Sequence, residues 1–198
     1  MTDRNEMLRK LNDSLEQLGN EIDSAQARLV NVMGRALAGW YVERAKEFVK
    51  SDPERSERLG REHLREMKEG VTALSNTAEL QVKNHLKRSN LWWDGNGSPE
   101  KLAERAPYMT QHALIETYNA CRDQLANVLA PYGYMRERPI QIENLVSAFA
   151  NEDIPYGVKE VAAELSNIFQ RGTDLLAERS RVERGQAETI AADIWDEL

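Results

Sequence analysis

Three histidines, His63, His85 and His112, and a lone cysteine, Cys121, are the side chains best suited to metal binding or proton transfer. Their spacing serves that chemistry poorly. If His63 and His85 share one helix, roughly 33 Å of helical rise separates them, so they cannot hold one ion. His85 and His112 can approach across a loop, with Glu116 one turn beyond His112 on the same face. That set offers three ligands, the minimum for a zinc or iron site. Yet the Glu-x-x-His spacing of di-iron bundles is absent at every histidine. We expect no cofactor, and keep His85, His112 and Glu116 as the alternative of a small helical enzyme or metal-binding protein.

Other spacings come close to known chemistry and then miss it. Asp94-Gly95-Asn96-Gly97-Ser98 is like the middle of a calcium-binding EF-hand loop. With Gly97 as the central glycine, Trp92 and Ala103 fall at ligand positions; with Asp94 first, Pro99 and Arg105 occupy the strictest ones. A tight turn with a helix cap is the better account. Arg58 with His63, and Arg105 with His112, match the loose Arg-to-His spacing of HEPN-type ribonucleases, themselves helical bundles. The polar residue that usually follows the arginine is missing, with Leu59 and Ala106 in its place. An RNA-processing bundle of that kind is kept only as a further alternative.

Contact chemistry is better represented. Trp92 and Trp93 stand together at the expected end of a helix, where such bodies close a bundle or anchor a partner. The ending Asp193-Ile194-Trp195-Asp196-Glu197-Leu198 alternates acid with bulky apolar residues, as a short docking helix does. Trp92, Trp93, Ile194, Trp195 and Leu198 are therefore the candidate partner-binding residues. Arg58, Arg61, Arg65 and Lys68 form a basic stripe, interleaved with Glu54, Glu57, Glu62, Glu66 and Glu69. It reads either as a solvated face with weak ion pairs or as the receiver of the acidic C-terminal third, within or between chains.

These residues must be positioned by helices. Apolar residues recur at three- and four-residue spacings from Leu8 through Leu11, Leu15, Leu18, Ile22, Ala25, Leu29 and Val32 to Ala36, one strip along a helix. The strip widens toward Trp40, Tyr41, Phe48 and Val49, so neighbours must wrap that end. Ser51-Asp52-Pro53 stops the helix and starts the next, with Asp52 as cap and Pro53 in the first position. A second helix is expected to about Leu91, folded back so that Leu64 and Met67 lie beside Leu37 and Trp40, and His85 beside Leu18. Further helices are expected over 99–106, 110–130, 139–150 and from 153 on, the last with a possible break near Gly185. No segment alternates with period two, so no strands are expected. The fold class is all-α: residues 1–91 as a long antiparallel, coiled-coil-like hairpin and 99–198 as packing helices of the same single domain.

The flanks of the first strip hold Met7, Asn12, Ser14, Gly19, Glu21, Gln26, Arg28 and Met33, which allow no ladder of ion pairs, so a parallel zipper is not expected. The first helix reads as longer than its later partners, and its leftover apolar surface would call for a second copy, giving a homo-oligomer. The net charge of −7 arises wholly within residues 139–198, where 12 acidic residues face 5 basic ones. That asymmetry argues against nucleic acid or anionic lipid as partner. No apolar run is long enough to span a membrane, none follows the first basic residues as a signal peptide would, and one unpaired cysteine suits a reducing cytoplasm. The expectation is a cytoplasmic, non-enzymatic scaffold or adaptor with an unknown protein partner.

Overall fold

The computed structural model describes residues 4–93, 101, 111–140 and 156–197. Among them the chain is all-α, without strands: α1 (Arg4–Ser51), α2 (Pro53–Asn76), α3 (Ala78–Arg88), α4 (Gln111–Leu129), a 3-10 turn (Ala130–Tyr132) and α5 (Tyr156–Glu197). The helices expected over 99–106 and 139–150 lie outside the described residues, apart from positions 101, 139 and 140. One connected apolar core draws on all five helices.

The 48-residue α1 is about 70 Å long at 1.5 Å per residue and is the axis of the bundle. Its strip is buried from Leu11 to Leu29 as the spacing predicts. Beyond that the burial passes to Met33, expected on the flank, and to Leu37 and Tyr41, all at 0% exposure, while Val32 and Ala36 are half-buried. The turn after it is built locally. The Asp52 carboxylate accepts the Arg55 N–H at 2.8 Å, with Pro53 behind it in the first helical turn. The last carbonyls of α1 have no partner within their own helix. The Arg55 guanidinium donates to Phe48 O at 2.6 Å and the Ser56 hydroxyl to Val49 O at 2.8 Å.

α2 is not one straight rod. Gly60 has φ 73° and ψ 171°, a conformation that L side chains avoid, and it breaks the helix a few residues after it starts. The chain has therefore advanced by several residues before it returns along α1. Leu64 and Met67 consequently face Val49 and Ala45, not Leu37 and Trp40 as the hairpin reading has it. Farther along, Ser75 donates to Ala38 O, and Asn31 reaches Glu79. α3 follows α2 after a single joint at Thr77 and ends at Arg88 through Asn90 at φ 55°. Asn90 N–H bonds Lys87 O and Leu91 N–H bonds Leu86 O, which gives the last carbonyls of α3 their partners.

Beyond that cap, Gln26 holds Trp93 by both main-chain groups. Its amide donates to Trp93 O at 2.8 Å and accepts the Trp93 N–H at 2.6 Å, both within the core. His85 precedes Trp93 on this returning segment, so it lies toward the C-terminal side of Gln26 and not beside Leu18. A similar amide clamp ties Asn119 of α4 to both main-chain groups of Ile140 at 3.0 Å.

α5, 42 residues long, runs through Gly185 without a break. It lies antiparallel to α1: Arg28 pairs with Glu164, Glu21 with Arg171, Asn12 with Arg179, and Arg4 lies over Gly185. This changes the argument for a second copy. α5 covers the N-terminal half of α1, where Leu11, Leu15 and Leu18 are buried, so the strip of α1 does not need another chain to hide it.

Candidate functional site

The side chains most capable of chemistry are dispersed. His85 is half-buried on α3, and burial, with the Arg88 charge second, holds its imidazole below the usual histidine range. Glu116 is exposed on α4; the side chain of His112 lies outside the described residues. Among the described residues no group of three metal-ligating side chains comes together. His63 is exposed and its ring nitrogen sits 2.8 Å from Leu59 O, one turn back on its own helix. Arg105 and the Asp94–Ser98 turn lie outside the described residues. Cys121 is fully buried, and burial pushes its thiol up to about 12, which leaves it a poor nucleophile.

One polar cluster is joined by several charge-assisted hydrogen bonds. Glu137 accepts from Arg44 at 2.8 Å, from Arg122 at 3.0 Å and from the Tyr134 hydroxyl at 3.0 Å. Arg122 stacks 4.6 Å from the Trp40 ring centre, and burial, then the Glu137 charge, raise the Tyr134 phenol to about 12. The cavity beside it is only about 10 Å³, enough for one water and too small for a substrate. Its effect is structural: it pins the 133–140 segment against α1 and α4.

Two surfaces remain. The first is the end of α5. Past the Arg4–Gly185 crossing this helix has no described stretch of α1 beside it, and Ile190, Ile194 and Trp195 are 50%, 54% and 77% exposed. Residues 186–198 carry Glu188, Asp193, Asp196 and Glu197 and no Lys or Arg. Leu198 lies outside the described residues. The second surface is a groove of about 330 Å³ between the C-terminal part of α1 and α2. Val42, Val49, Leu64 and Met67 line its floor and Lys46, Lys50 and Lys68 its rim; among the described residues no carboxylate lines it, though Lys46 pairs with Glu43 at 2.6 Å.

The sequence had picked out the first surface and missed the second. The groove was invisible because it depends on the register that Gly60 sets. The tandem tryptophans separate: Trp93 is buried at 4% exposure and closes the core, which removes it as a partner anchor. Trp92 is half-buried under Lys83 at 5.0 Å and Lys87 at 6.0 Å. Arg58, Arg61, Arg65 and Lys68 are exposed as expected, with Arg65 near Glu69 at 3.8 Å. They lie on α2 beside the C-terminal end of α1, whereas the acidic end of α5 runs out past the N-terminal end of α1. The length of α1 separates the two, so the stripe does not receive that end within the same chain. No helix among the described residues is long and apolar enough to cross a membrane. Compared with protein-family models, with curated proteins and with solved structures, the chain matches none.

Proposed function

We propose that this chain is a non-enzymatic helical scaffold that works by contact with itself and with another protein. The observation that carries this reading is the exposed end of α5, where three large apolar side chains continue a helix past its own partner. Large apolar residues exposed together mark contact surfaces. An acidic helix with apolar residues one turn apart suits a groove with a basic rim. The reading includes a coiled-coil-like character for the long antiparallel helix pairs and residence in the cytoplasm, where a buried unpaired thiol is at home. The test compares the full chain with the Ile190→Ser/Ile194→Ser/Trp195→Ser variant as baits, with helicity and melting temperature checked for both. Loss of a reproducibly captured protein from the variant alone supports the scaffold. Capture that is unchanged by the triple substitution, or a stoichiometric metal lost on His85→Ala and Glu116→Ala, overturns it.

A further inference from the structure

The ends of α1 and α5 are staggered in a complementary way. Gly157, at the start of α5, lies against Val32, so α1 runs on to Ser51 without α5 beside it. At the other end α5 runs on from Gly185 to Glu197 without α1 beside it. At 1.5 Å per residue the α1 overhang is about 28 Å long and the α5 overhang about 18 Å. The α1 overhang carries the lysine-rimmed groove. The α5 overhang carries the acidic residues and the exposed Ile190, Ile194 and Trp195.

We propose that the end of α5 in one copy, residues 186–197, lies in the α1–α2 groove of the next copy, so that chains join head to tail. Two features favour a second copy as the occupant. The α5 overhang exposes Ile190, Ile194 and Trp195, and the groove offers an apolar floor of Val42, Val49, Leu64 and Met67 to receive them. The charges are also complementary: residues 186–198 carry four carboxylates and no base, and Lys46, Lys50 and Lys68 rim the groove, Lys46 also pairing with Glu43 at 2.6 Å. Pairing of two α5 ends with each other would instead bring like charges together. Such a contact is heterologous: each copy offers one tail and one groove, and chains grow or close into rings.

This inference rests on the scaffold reading and assigns its self-contact. The experiment is sedimentation velocity on the full chain over a concentration series. Two variants with exposed substitutions accompany it: the Ile190→Ser/Ile194→Ser/Trp195→Ser tail variant and a Lys46→Glu/Lys50→Glu/Lys68→Glu groove variant. The unaltered chain is expected to gain mass with concentration, and to lose it as salt screens the rim charges. Each variant alone is expected to stay at the 22.6 kDa of one chain. Their equal mixture is expected to reach about twice that mass and stop, because only one tail–groove joint can form per pair. A mixture that stays monomeric, or a wild-type chain that stays monomeric throughout, overturns the inference. So does a photo-cross-linker at Val49 that traps residues 141–155 of its own chain and not residues 186–197 of another copy. A monomeric wild type that still captures a different protein through its tail would sink this joint alone and leave the scaffold reading standing.

Discussion

Between Ile22 and Tyr41, α1 is enclosed on several sides; between Arg4 and Leu18, α5 is the described helix that lies against it. In the first stretch Met33, Leu37 and Tyr41 are at 0% exposure, and the Tyr41 hydroxyl donates to Cys121 O at 2.6 Å across to α4. In the second, Leu11 at 8% and Leu15 at 4% are also buried, yet they are flanked by the Asn12–Arg179 contact, which is open to water. Similar burial thus arises from different enclosure. A side chain inside several helices cannot be replaced by solvent, whereas one between two helices lies a single side chain from it. The difference predicts where the molecule resists change and where it yields.

The largest effect is expected at the enclosed stretch. Leu37→Ala should lower stability by about 2–5 kcal/mol, because the cavity has no route to collapse. Leu11→Ala should cost about 1–2 kcal/mol, since α5 and water can close over the gap. Urea unfolding of both variants measures the contrast, and equal losses would erase it. Next comes the N-terminal end of the enclosed stretch, where Gln26 holds Trp93. Gln26→Met keeps the volume but strands a buried N–H and a buried C=O, each worth about 1–3 kcal/mol. Unfolding with tryptophan fluorescence as probe reads that loss. A variant as stable as the parent would mean that Trp93 is held by packing and not by the amide.

The smallest effect concerns pH. His85 is held below its ordinary range mainly by burial, so the unfolded chain binds a proton more readily than the folded one. Stability should therefore be at its full value above about pH 6.5 and fall as pH drops through that range toward the lower folded value. His85→Gln should flatten this part of the profile. The change is modest because the ring is half-exposed and water screens it. A slope of the opposite sign would place His85 against a carboxylate instead.

Some of this was legible in the chain and some was not, for reasons that can be named. Asp52 and Pro53 mark the end of α1 because caps are made within one turn of the chain, and local rules suffice. The buried strip from Leu11 to Leu29 was legible because a 3.6-residue period leaves little choice of face, whereas the shift of burial from Val32 and Ala36 to Met33 and Leu37 was not. Gly60 is a different case. An isolated glycine inside a helical pattern is usually tolerated, so nothing local announced the positive φ that shifts the register from Trp40 to Val49. The pattern likewise could not tell that Gln26, spaced as a flanking polar residue, would be buried against Trp93 far along the chain. Gly34 is similar: a Cβ there would sit 2.8 Å from the Glu79 Cα, a close approach that only the α1–α3 crossing creates.

By itself the amino-acid order determined the helical class, the apolar face of α1, the turn at Asp52–Pro53 and the acidic, apolar character of the α5 end. All of these depend on residues within a few turns of one another. Only the tertiary structure decided that α5 runs unbroken past Gly185, that the N-terminal half of α1 is covered by its own chain, and that α1 and α5 each overhang the other at opposite ends. Those outcomes depend on where one long helix stops relative to another. That offset is a sum over distant contacts, and no single stretch of chain contains it.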